Sequence, residues 1–287
     1  MLNANAFNPW SIFLILLLGT MSSLLGALKY LDGSQWMMPK EYKVAKNIVD
    51  KLAEKNDLGN DPLTFTIMSG SRVSWTAETL ELIKQEGLFF YRHINPFRTY
   101  IGKSSKEINE AIRQSYLLNG IEAYAYPNGT IGISRSTFRS LKNKNDYLAC
   151  IIGHEISHVL NHDSFNSSLR KGKEGKNLKK KKKDALGYQI SRETESNADI
   201  NSAKMIIKAG FPKDTCLKAL DFIYRHVGDG RETKKDSTHP GYEDRRSALI
   251  KFLESTEEDL IIKEREETKG KWIYSKKLNA LTFNPYK

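Results

Sequence analysis

The chain has 287 residues, a formal charge of +11, 39% hydrophobic and 28% charged residues, and only two cysteines. This composition suits a folded domain with a lysine-rich surface and excludes a disulfide-framework miniprotein and a low-complexity tail protein. The positive excess is local: residues 170–183 hold nine basic residues and one acid, a net +8, so the rest is near neutral and no nucleic-acid partner is expected.

Residues 1–28 contain no charged side chain, and Trp10 to Leu28 is mostly apolar. As a helix this run is about 28 Å long, close to a bilayer core. It reads as one N-terminal transmembrane helix or as a secretory signal, with 1–31 as the anchor or signal segment. Lys29, Lys40, Lys43 and Lys46 follow it and nothing basic precedes it. By the positive-inside rule that asymmetry leaves the large domain in the cytoplasm.

One folded domain is expected over 32–256, mainly helical α+β with a small sheet or hairpin. Val44, Ala45, Ile48, Val49 and Leu52 give helical periodicity over 41–55, and Leu63 to Ile67 alternates as a strand. Helices are expected at 76–86 and 106–118, with a strand at 88–93 between them. Ile121 to Tyr126 and Thr130 to Ser134 flank Pro127-Asn128-Gly129, a hairpin signal. It reads equally as an ordinary sheet hairpin or as one with a strand that can pair with an extended peptide. Tyr126, Asn128, Gly129, Thr130 and Ile131 are the candidate substrate-binding residues.

The next segment carries the chemistry. His154-Glu155-Ile156-Ser157-His158 lies in an apolar run, with Asn145 or Asp146 as N-cap and Leu148, Ile151, Ile152, Ile156, Val159 and Leu160 on the buried side. Histidines four apart share one face of a helix and can hold one Zn²⁺ per chain, with Glu155 beside it as general base. Cys150, in the same helix, reads as a small core residue.

Residues 163–187 read as an exposed basic loop insertion. Its plain reading is a solvated loop; its sharper one is contact with anionic lipid. Tyr188 to Ala209 forms a long helix stopped by Gly210 and Pro212. A helix over 213–227, capped by Asp214, follows, and another spans 242–253. Residues 257–287 form a charged tail with two short apolar runs and no functional reading.

A catalytic zinc takes three protein ligands. The extension His-Glu-x-x-His-x-x-Gly-x-x-His fails at Asn161 and Ser164, so the third ligand comes from elsewhere. Glu195 and Asp199, one turn apart, can serve as ligand and as hydrogen-bond partner of a ligand histidine. Their plain alternative is two solvated acids.

Four pieces in order carry a resemblance: Glu122 to Gly129, His154 to His158, Glu195-Ser196-Asn197-Ala198-Asp199, and Thr238-His239-Pro240 followed by Arg245. Over residues 40–255 the chain resembles the membrane-associated zinc metallopeptidases that include the CAAX prenyl endopeptidases, HtpX and BepA. With one apolar span, the BepA-like branch is nearest. The resemblance implies a zincin-like (gluzincin) fold and a metalloendopeptidase acting on protein substrates in membrane or envelope quality control. It implies Glu195 as third zinc ligand, Asp199 as its supporting partner, and His239 near the metal as transition-state donor or inhibitory fourth ligand. Arg245 or His239 then stabilises the oxyanion beside the base Glu155. The BepA-like branch argues for an extracytoplasmic domain, against the lysine asymmetry. A latent or structural zinc site in a membrane-anchored binding protein is the alternative. Glu122 and the single glycine after Pro127 depart from the family pattern.

Overall fold

The computed structural model describes residues 38–68, 120–227, 230–275 and 278–286. The elements expected at 1–31, 76–86, 88–93 and 106–118 lie outside the described residues. Among the described residues no helix is long and apolar enough to cross a membrane. The folded unit that carries the site begins at Lys40.

Its first helix, α1 (Lys40–Ala53), buries Tyr42, Ala45, Ile48, Val49 and Leu52, the stripe its periodicity demands. Strand β1 (Leu63–Met68) is buried at every position. Next come β2 (Ala123–Ala125), β3 (Thr130–Ser134) and the short α2 (Arg135–Ser140), capped by the Ser134 side chain. The motif helix α3 spans Asn145–Leu160, and α4 (Asp163–Glu174) and α5 (Lys180–Lys208) follow it. Helices α6 (Thr215–Val227), α7 (Tyr242–Ser255) and α8 (Glu258–Lys263) lead to the final hairpin, β4 (Lys269–Ser275) and β5 (Ala280–Tyr286).

The described strands form one sheet in the order β2-β3-β1-β5-β4. β1 runs parallel to β3, and the other pairs are antiparallel. The expected hairpin is present: Tyr124 pairs with Gly132 and Ala125 with Ile131. Its turn closes through Gly129 N–H to Tyr126 O at 3.1 Å. Gly129 has φ +79°, and a Cβ there would lie 2.5 Å from Pro62 O. Glycine is therefore required twice, for backbone conformation and for space.

Three expectations change. The basic segment 163–187 is helical, not a loop: α4 fills its first half and α5 starts at Lys180. Lysine is a good helix former, and α4 is further held against α5 by the Arg170–Glu193 pair and the Ser167–Thr194 contact. Gly175 only separates the two helices, as C-cap of α4. Second, the cap of α3 is Lys144 without a side-chain bond; Asn145 and Asp146 are already helical, and Asp146 complements the dipole of the first turn. Third, the segment from 257 supplies β5, which pairs with β1 at the centre of the sheet. Sequence-distant strands pair there because the sheet offers β1 a free edge, which no local pattern announces.

Cys150 is buried, as expected of a core residue, but it is also bonded to Cys216 across 66 residues, with Cα atoms 5.4 Å apart. The disulfide ties the motif helix to α6 one turn before His154.

Candidate metal centre

Helix α3 lies against α5, and the close approach depends on Gly153. A Cβ there would stand 2.9 Å from Ser202 Oγ. Ser202 Oγ instead donates to Cys150 O at 2.7 Å. This contact on the α5 stripe 195, 199, 202 brings both carboxylates over the motif.

His154 Nε2 and His158 Nε2 are 3.1 Å apart. Glu195 places Oε2 3.3 Å from His154 Nε2 and Oε1 3.7 Å from His158 Nε2. A tetrahedral ion with bonds of about 2.0–2.1 Å separates its ligand atoms by about 3.3 Å. The three side chains fit that frame, and two imidazoles with one carboxylate are donors that suit zinc. The solvated-acid alternative for Glu195 fails, since its side chain is only 17% exposed.

Each ligand histidine uses its other nitrogen for orientation. His154 Nδ1 is 3.0 Å from Asp199 Oδ1. His158 Nδ1 is 2.8 Å from Asp163 Oδ2. Both carboxylates favour Nδ1–H and leave Nε2 with its lone pair toward the metal position. Asp163 is absent from the sequence reading. It follows His158 by five residues, and only the left-handed turn at His162 (φ 49°) brings it back to the ring. A carboxylate soon after the second histidine is a weak signal that needs that turn to become useful.

Asp199 is held in turn by Arg245, whose Nε donates to Oδ2 at 2.8 Å and Nη2 to Oδ1 at 2.7 Å. The sequence reading placed Arg245 among the oxyanion donors. In the structure both of these donors are bonded to Asp199. Burial opposes ionisation of Asp199, but the Arg245 charge and hydrogen bonds and the His154 bond hold its carboxyl well below the usual range. Burial likewise opposes ionisation of Glu195, yet the hydrogen bond from His154 and the charges of His154, His239 and His158 lower it to about 2. His154 is the converse: burial works against its charge, while the hydrogen bonds to Asp199 and Glu195 and the negative charges of Asp199 and Glu155 raise it to about 10. These directions describe the metal-free site, where a proton on His154 stands in for a cation.

His239 sits on the loop before α7, half-exposed, with Nε2 3.5 Å from Glu195 Oε1. Arg192 on α5 holds that loop by donating to Ser237 O at 3.0 Å. The sequence reading missed Arg192, whose role depends on a contact 45 residues away.

Two cavities flank the metal position. A cleft of about 450 Å³ is lined by Tyr124, Tyr126, His154, Glu155, His158 and Phe165, among others. A smaller hollow of about 210 Å³ shares His154, Glu155, Glu195 and His239 and is walled by Ile151, Ala219, Leu220, Ile223 and Leu249. Glu155 is buried and borders both.

Residues 102–174 match the model of peptidase family M48. The matched M48 segment includes the β2–β3 hairpin, the motif helix and α4. It does not separate the HtpX, CAAX and BepA-like branches, and comparisons with curated proteins and with solved structures return no match. Glu195, Asp199, His239 and Arg245 lie beyond the M48 segment in sequence; the fold brings them to it.

The expected substrate-binding residues divide. Tyr126 lines the cleft, whereas Asn128 and Gly129 border a separate hollow with Asp61, Pro62 and Thr64. Thr130 and Ile131 are fully buried in β3, which is hydrogen-bonded on both sides by β2 and β1. A strand paired on both sides has no edge to offer a peptide. Among the described residues the outermost strand on this side is β2, and Ala123 to Tyr126 face the cleft.

Proposed function

We propose that this chain is a zinc-dependent metalloendopeptidase of the M48 type that cleaves protein substrates, acting in membrane or envelope quality control. The observation that carries the reading is the convergence of His154 Nε2, His158 Nε2 and the Glu195 carboxylate at spacings a single metal ion could bridge, with Glu155 on the same cleft wall.

His154, His158 and Glu195 would hold the zinc, which would supply Lewis acidity at this position. Glu155 accepts the proton of the attacking water and passes it to the leaving amine nitrogen. His239 Nε2, 3.5 Å from Glu195 Oε1, donates to the developing oxyanion. Asp199 with Arg245, and Asp163, keep the two imidazoles in the tautomer that directs Nε2 inward. The substrate backbone adds to β2 along Ala123 to Tyr126, as in strand addition to a sheet edge. The hollow walled by Ile151, Leu220 and Leu249 takes an apolar side chain next to the scissile bond.

The Cys150–Cys216 disulfide supports an oxidising compartment, because such bonds persist outside the reducing cytosol. It favours the extracytoplasmic side, with the apolar N-terminal run as a single-pass anchor.

The test is zinc content by elemental analysis beside casein cleavage, for wild type and Glu155→Gln. One zinc per chain in both with cleavage only in wild type is the expected result. Zinc in both with cleavage in neither replaces the reading by a latent site, closed by His239. No zinc in either removes the metal centre altogether.

A further inference from the structure

We infer that the α4–α5 hairpin is a docking surface for an anionic membrane, which brings the mouth of the cleft to the lipid surface. Helix α4 buries none of its residues. One side faces α5: Ser167 Oγ is 3.3 Å from Thr194 Oγ1, and Arg170 pairs with Glu193. The other side carries Phe165 and, one turn on, Leu169, which are 65% and 59% exposed. Leu178, at the turn between the helices, is 38% exposed. Seven large apolar side chains of the described residues are this exposed, and three of them stand on this one hairpin.

The same hairpin holds the net +8 of residues 170–183. Arg170 is engaged by Glu174 and Glu193, and Lys180 lies 3.5 Å from Asp184 while remaining 94% exposed. Lys173, Lys176, Lys179, Lys181 and Lys182 are all exposed. Lysines at the start of α5 oppose its helix dipole, so their concentration there is not explained by helix stability. An aromatic and two leucines projecting beside a lysine cluster match what an anionic headgroup layer over acyl chains accepts: charge at the surface, apolar tips below it. Nucleic acid or an acidic protein satisfies the lysines but leaves Phe165 and Leu169 without an apolar counterpart.

Phe165 also lines the larger cleft beside the metal position. Docking therefore faces the cleft entrance to the bilayer, and the substrates it admits are segments presented at a membrane surface. That last step rests on the peptidase reading; the docking does not.

The experiment uses the full chain reconstituted in vesicles of brominated lipid, with Phe165→Trp as reporter and wild type subtracting the native tryptophans. With phosphatidylglycerol present, emission of the introduced indole falls about twofold or more; in phosphatidylcholine alone it does not. Replacing Lys179 to Lys183 by Gln shifts the docked equilibrium roughly fivefold per lysine, so quenching is lost in that background. Leu169→Trp is the second reporter and behaves alike. Equal emission in both vesicle types, or quenching that survives the lysine replacements, overturns the proposal. So does capture of a DNA oligonucleotide or polyglutamate by the hairpin without quenching by anionic vesicles. The fluorescence is read without turnover, so a chain that docks but cleaves nothing refutes the peptidase reading alone.

Discussion

Replacing Asp199 by Asn tests the arrangement where it is most constrained. Three donors converge on this carboxylate: His154 Nδ1 and Arg245 Nη2 on Oδ1, and Arg245 Nε on Oδ2. Asparagine keeps the shape but turns one acceptor into a donor, so at least one of the three N–H groups loses its partner whichever way the amide points, and two do if the amide nitrogen takes the Oδ1 position. Asp199 is only 7% exposed, and water does not compensate freely. A lost charge-assisted bond at such a site costs about 1.5–3 kcal/mol. Arg245 is also left without its counter-charge, a smaller loss because its side chain is 25% exposed. A total of about 2–4 kcal/mol in the zinc-free chain is expected. Zinc affinity falls about 10–100-fold, because His154 is no longer fixed with Nε2 free. Chelator-competition titration and denaturant unfolding of the zinc-free protein measure the two effects. The acid limb adds a signature. Asp199 titrates below its unfolded value, so its contribution is present above the usual carboxylate range and fades as pH falls through the folded pKa. The gap between wild type and variant therefore narrows on acidification. Zinc affinity within about threefold of wild type would show that the Arg245–Asp199–His154 chain does not position the metal ligand.

Asp163→Asn should weaken zinc binding about tenfold or more through His158 while leaving His154 alone, measured by the same competition titration. The metal-free chain should lose stability as pH rises from 6.5 to about 10, since His154 has a raised folded pKa and its contribution is complete only below the unfolded value. The zinc-loaded chain, in which His154 must be unprotonated, should lack that decline in parallel thermal melts; matching curves would contradict the assignment. Replacing both Cys150 and Cys216 by Ala should cost up to about 4 kcal/mol of unfolding free energy, from loop closure over 66 residues. Unfolding midpoints that coincide with wild type would show that the link does not constrain the unfolded chain.

What the sequence determined by itself was local. His154 and His158 share a face because a helix repeats every 3.6 residues, and Glu195 and Asp199 share one for the same reason. Gly129 marks its turn because only glycine adopts that backbone without strain. The family resemblance then supplied the pairing of the two helices, which spacing alone leaves open. Tertiary structure decided the rest. Asp163 reaches His158 only through the turn at His162, and Arg245 serves Asp199 because α7 delivers it there. Cys150 finds Cys216 across 66 residues, and β5 finds β1 across the whole unit. The basic segment became α4 and the start of α5 because helix propensity and a neighbouring helix sufficed, although the apolar side of α4 faces outward and buries nothing. Thr130 and Ile131 turned out to be interior because pairing on both sides depends on which strands close the sheet. Short-range periodicity is written in adjacent residues; which edges, faces and charges meet depends on contacts that form only when distant segments pack.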